Sequence, residues 1–181
     1  MNGMMLTSVH RLLAASLLAF AAMSAQAATL NDDEIVSVVA ALNVNEINAA
    51  KLAETKAYQA SVKQFSKKMI KDHRAMDQKA GKLAVRLKLN PLPSELSESV
   101  RAQGTEIMES LRTAPQGPIF DKDFMAAQVQ MHEQALNLFE SELIPNAKNA
   151  QLKALLEQSS KDIAAHLEQA RQLHEEITAN I

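Results

Sequence analysis

Four polar residues interrupt the apolar stripes of a chain otherwise rich in alanine and leucine: Glu46, His73, His132 and His166. Glu46 follows Leu42 by four and precedes Ala49 by three. His73 follows Met69 by four and precedes Met76 by three. His132 follows Gln128 by four and precedes Ala135 by three, and His166 follows Ile163 by three and precedes Ala170 by four. These are the intervals of a single helix face, so each side chain is expected at the core or its edge. A buried imidazole or carboxylate is costly unless it is paired. Three imidazoles and one carboxylate form a ligand set for one transition-metal ion: zinc, iron, copper or manganese. Carboxylates stand close by in sequence. Asp72 adjoins His73, Glu133 adjoins His132, and Asp162 lies one turn before His166. An acid behind a ligating histidine fixes its tautomer and raises its basicity. The same four residues would serve equally as a hydrogen-bonded Glu–His network without metal.

The usual di-iron chemistry of helical bundles is not supported, because it needs a Glu-x-x-His pair on each of two helices. The residues three before His73, His132, His166 and His174 are Ile70, Val129, Ile163 and Arg171. Met69, Met76, Met125 and Met131 lie near the histidines, and thioethers with imidazoles suit copper, although methionine at helical spacing is mostly core filler. With no cysteine in the chain, thiolate ligation and thiol catalysis are excluded. No phosphate-binding glycine loop, His-Glu-x-x-His or nucleophile elbow is present.

The elements that must position these residues are all helical. Asn31, followed three residues later by Glu34, reads as a capping box, with Asp32 and Asp33 favouring the helix N-terminus. The apolar and small positions predict a first helix over 31–57 and a second over 59–88, stopped before Asn90-Pro91-Leu92-Pro93. A shorter helix over 95–112 follows, weakened by Gly104. The run Thr113-Ala114-Pro115-Gln116-Gly117-Pro118 is a breaker. Two further helices are expected over 120–144, ending at Pro145, and over 149–178. Each of the four polar residues then lies within about three residues, or under about 5 Å, of its helix midpoint, so antiparallel packing brings them to one level. Four long helices with a short helix in the second connection describe an all-α, ferritin-like four-helix bundle. Lys63, Lys67, Lys68 and Lys71 fall mostly off the apolar stripe and are expected in solvent, and His174 is expected near the surface.

The first residues read as a signal peptide over 1–27. Arg11 precedes an apolar stretch from Leu12 to Met23, broken only by Ser16, and Ser24-Ala25-Gln26-Ala27 offers a cleavage site. Export to the periplasm follows, with residues 28–181 as one domain. No transmembrane segment is expected after cleavage. A net charge of −2, no tryptophan and one tyrosine give no nucleic-acid footprint.

Several segments together resemble the exported bacterial domain-of-unknown-function 4142 family. They are Asp33-Glu34-Ile35, Asn45-Glu46-Ile47, Val62-Lys63-Gln64-Phe65, Met69-Ile70-Lys71-Asp72-His73, Phe120-Asp121-Lys122-Asp123-Phe124, Met131-His132, Ala135-Leu136 and His166-Leu167-Glu168-Gln169-Ala170. The resemblance implies a helical bundle and export, and its Glu and His positions fall on Glu46, His73, His132 and His166. It implies no activity. Any membrane contact is expected to be peripheral. Three functions remain open from sequence: a periplasmic metal-binding bundle, a non-enzymatic envelope interaction or stress protein, and, with least support, an oxidoreductase. Oligomeric state is not legible.

Overall fold

The computed structural model describes residues 29–179, and the signal-peptide reading of 1–27 lies outside them. The described residues are helical, with no strand among them. The elements are α1 (Asp32–Lys56), α2 (Ala60–Leu87), α3 (Glu95–Thr113), α4 (Pro118–Leu138), a π-helical turn (Phe139–Leu143), α5 (Ile144–Asn146) and α6 (Ala150–Ala179). Asn31 caps α1 as expected, with its side chain on the Glu34 N–H and the Glu34 carboxylate on the Asn31 N–H. Ser94 and Ser97 make the same reciprocal cap for α3.

Two antiparallel hairpins, α1–α2 and α4–α6, are joined by α3, which packs along α1. Hydrogen bonds at both ends fix the directions. At one end, Asp33 at the start of α1 accepts from the N–H groups of Asn90 and Leu92 beyond α2. There Asp32 also accepts from the N–H groups of Lys148 and Asn149 before α6. At the other end, the fully buried Asp121 accepts from the Tyr58 and Gln59 N–H groups at 2.8 and 2.7 Å. It thereby caps α2, whose own N-cap residue Gln59 supplies no side-chain bond. Lys56 donates to the carbonyls of Leu111, Arg112 and Ala114 at the end of α3. Thus α3 carries the chain from one end of the molecule to the other, and α2 and α4 run the same way.

Two expectations change. Gly104 sits in the middle of α3 because α3 approaches α1 too closely there for any side chain: a Cβ would collide with the Asn45 amide, which donates to the Val100 carbonyl at 2.7 Å. Pro145 does not end the third long helix as a clean stop. The helix widens into a π-turn, with the Ile144 N–H bonding to the Phe139 carbonyl five residues back, and this register shift absorbs the N–H that proline lacks.

Among the described helices only α1 is long and apolar enough to cross a membrane. It is instead the central core helix, packed on α2, α3 and α4, which accounts for apolar residues around most of its circumference.

The core consists of two apolar clusters. One holds Ile35, Val38, Leu83, Phe139, Leu143 and Leu156. The other holds Ala53, Phe65, Met69, Phe120, Phe124 and Ile177. Between the segments that build them, a layer of Asn43, Glu46, His73, Gln128, His132 and His166 is buried.

Candidate metal centre

Each of three long helices contributes one histidine to this layer. His73 on α2, His132 on α4 and His166 on α6 are 4, 1 and 3% exposed. Their ring centroids form a nearly equilateral triangle of 5.7, 5.4 and 5.6 Å. One ring nitrogen from each lies within 4.8 Å of the others.

Hydrogen bonding settles the tautomers. His132 Nδ1 lies 2.9 Å from the Gln128 carbonyl, which can only accept, so Nδ1 carries the proton. His73 Nδ1 donates to Asn43 Oδ1 at 2.9 Å. His166 Nε2 donates to Asp72 Oδ2 at 3.1 Å. The opposite nitrogens, His73 Nε2, His132 Nε2 and His166 Nδ1, are buried without any hydrogen-bond partner. In a neutral imidazole that second nitrogen is a lone-pair acceptor. Two of the rings, His73 and His166, are held neutral. Burial, reinforced by the neighbouring His132 and His166, pushes His73 down to about 3. Burial, with Lys68 and His132 adding to it and Asp72 opposing, pushes His166 down to about 4.

These orphaned nitrogens fit a metal ion. A buried polar atom without a partner costs about 1–3 kcal/mol, and three of them consume a large part of a typical folding margin of about 5–15 kcal/mol. A network serving stability alone would pair its members. Three nitrogens on one zinc or copper ion, each at about 2.0–2.1 Å, lie about 3.3–3.6 Å apart. From within 4.8 Å, the rings need to close by an amount on the order of 1 Å.

Of the four residues expected to converge, the structure gathers the three histidines. Glu46 sits behind them: its Oε1 is 3.5 Å from His132 Nδ1, the protonated side of that ring, and its Oε2 accepts from Gln128 Nε2 at 3.0 Å. Burial raises the Glu46 carboxyl above the ordinary range, opposed by His132 and Gln128. Asp72 does back a histidine, but it is His166 across the helix interface rather than its sequence neighbour His73. Burial acts to raise the Asp72 carboxyl, but the Lys68 and His166 contacts outweigh it and hold it below the usual value.

Glu133 and Asp162 back no histidine. Glu133 pairs with Arg171 at 2.6 Å, both half-exposed, because the residue after an inward-facing His132 is turned about 100° around the helix. Asp162 accepts from Gln158 at the rim of a surface groove of about 270 Å³ between α2 and α6, shared with Lys68, Asp72, Lys79 and His166. That groove links the triad to the surface.

Asn43 was missed by sequence reasoning, although it lies four after Val39 and three before Glu46, a second polar residue on the same stripe. Gln128 was read only as a stripe position. Lys68, expected in solvent, is half-buried and bonded to Asp72 at 2.8 Å. Of the methionines, Met76 and Met131 line a cavity of about 40 Å³ beside His73, His132 and Glu46, while Met69 and Met125 fill the apolar cluster beyond. His174 is outside the group, on the last turns of α6.

Solved structures of CopM share this fold. CopM in the Cu(II)-bound form aligns with a TM-score of 0.64, covering 82% of this chain and 99% of that one at 16% identity. CopM in the Ag-bound form, obtained by co-crystallisation, aligns with a TM-score of 0.63, covering 82% and 98% at 16% identity. No curated protein matches the sequence. The family model described as "Domain of unknown function (DUF4142)" matches residues 18–173, and the chain belongs to that family.

Proposed function

We propose that the protein is an exported, ferritin-like four-helix bundle of the periplasm that binds one transition-metal ion on His73 Nε2, His132 Nε2 and His166 Nδ1, and that it serves in metal storage, buffering or redox protection rather than in catalysis. The carrying observation is that each imidazole spends one nitrogen on an oxygen acceptor and leaves the other buried and unpartnered. Asn43, the Gln128 carbonyl and Asp72 then act as the outer partners that orient ligating histidines.

Copper is the favoured ion. Neutral nitrogen donors without an oxygen ligand in the group suit copper and zinc over manganese and iron, and copper heads the affinity order. The Cu(II) and Ag in the CopM structures of the same fold support this choice. Residues 28–181 form the mature domain, and the parallel run of α2 and α4, joined by the end-to-end helix α3, supports the ferritin-like topology.

The test is elemental analysis of protein produced with its own leader and recovered from the periplasm of copper-supplied cells. Wild type is expected to carry one metal per chain and to begin at Ala28. The H73A/H132A double variant is expected to carry none. Equal, sub-stoichiometric metal in both proteins overturns the reading.

A further inference from the structure

The outer face of α2 carries a row of unpaired cations. Lys67, Lys71, Arg74, Lys79, Lys82 and Arg86 are all exposed. None of them has an ion pair or hydrogen bond among the described residues, whereas Lys68 on the flank is taken by Asp72. Lys67, Lys71, Arg74, Lys82 and Arg86 recur at multiples of three and four residues, on the side opposite the buried Val62, Met69, Met76 and Leu83. The helix holds eight basic residues against two acidic ones in a chain whose net charge is −2. Both acids, Asp72 and Asp77, are half-buried and off the row.

This pattern works against the helix that carries it. Lys67 with Lys71, Lys71 with Arg74, Lys79 with Lys82, and Lys82 with Arg86 are like charges at spacings where an acidic partner would stabilise the helix. Val85 stands in the same row between Lys82 and Arg86 and is 80% exposed. The row is convex and spans about 28 Å from Lys67 to Arg86, which suits an extended anionic surface rather than a single small anion. A nucleic-acid strand would be expected to meet stacking platforms, but the one aromatic residue of α2, Phe65, is buried in the core.

We propose that this face of α2 docks on a bilayer surface bearing anionic phospholipid headgroups, with Val85 entering the headgroup layer between Lys82 and Arg86. The proposal is independent of the metal site, which lies on the opposite, buried side of the same helix.

Sedimentation with phosphatidylcholine vesicles, with and without phosphatidylglycerol, tests it. Each basic residue near an anionic surface contributes about fivefold to partitioning. The K71E/K82E variant, which reverses two of the charges, is therefore expected to lose at least about a hundredfold, while far-ultraviolet circular dichroism and metal content stay at wild-type values. Binding is also expected to vanish as salt approaches 1 M, where screening acts within about 3 Å. Equal binding to neutral and anionic vesicles, undiminished binding by K71E/K82E, or no binding at low salt overturns the proposal. So does displacement by inorganic phosphate beyond that by chloride at matched ionic strength, which would mark a point-anion site. Tighter binding of a single-stranded oligonucleotide than of the vesicles overturns it as well.

Discussion

Replacing His73 by leucine separates a metal site from a structural network, because the two readings differ in what the metal-free protein loses. In the absence of metal, the substitution removes the unpartnered Nε2, a gain of about 1–3 kcal/mol. It also strands Asn43 Oδ1, now without its 2.9 Å bond from His73 Nδ1, a loss of about 1–3 kcal/mol. Leucine is close to histidine in size, so no large cavity opens. The terms nearly cancel, and metal-free H73L is expected within about 2 kcal/mol of metal-free wild type. The metal-loaded state is different. An ion at one hundred times its dissociation constant stabilises the native state by about 2.7 kcal/mol. For a domain of this size that raises Tm by about 5–10 °C. Thermal unfolding followed by circular dichroism, with chelator or with copper, is expected to show that rise in wild type and not in H73L. The reasoning is refuted if copper leaves the wild-type Tm unmoved, if H73L keeps the full shift, or if metal-free H73L falls by more than about 4 kcal/mol, which would mean the ring was a satisfied structural member.

Acidification should destabilise the metal-free protein. The folded-state values of His73 and His166, about 3 and about 4, lie below an unfolded value near 6.5, so between those limits the unfolded chain binds the protons and stability falls as pH falls. From pH 7 to pH 5 each histidine contributes up to about 2 kcal/mol of loss. The raised Glu46 carboxyl acts in the opposite direction, so urea unfolding of metal-free E46Q is expected to show a loss of about 2–4 kcal/mol over that interval, and a flat profile would contradict the buried, neutral state of His73 and His166. Asp72→Asn should weaken metal binding about 10–100-fold, because the 3.1 Å bond that holds the His166 tautomer loses its charge. Competitive titration with a chromogenic chelator reads this directly. Asp72→Glu should recover part of the loss, and an unchanged affinity in Asp72→Asn would remove Asp72 from the site.

The histidine layer was legible in sequence because each histidine lies on a 3/4 stripe near the middle of a long helix, and helix phase and rise are properties of the local chain. The choice of partners was not, because it depends on how far neighbouring helices are rotated against one another. Adjacency suggested Asp72 for His73 and Glu133 for His132. Successive residues on a helix point about 100° apart, so the neighbour of an inward histidine faces the next helix, as Asp72 does toward His166, or a surface pair, as Glu133 does toward Arg171. Glu46 read from sequence as a ligand and Asn43, on the same stripe, was passed over; the α1–α2 interface sets Asn43 against His73 and leaves Glu46 with His132 and Gln128. Gly104 read from sequence as a weakness and Pro145 as a helix end, and tertiary structure made one a point of close approach and set a π-turn just before the other. The distribution of hydrogen bonds carries the strongest functional argument, and it was invisible before the helices were packed. Every histidine of the layer is hydrogen-bonded through one nitrogen only, and Gln128 Oε1 is the one other buried side-chain polar atom among the described residues without a partner. A core selected for stability alone would gain by replacing these rings with leucine or phenylalanine, as the neighbouring layers have done. On the proposed function, a core that keeps three pre-oriented lone pairs gives up that stability for a cation that would return it on binding.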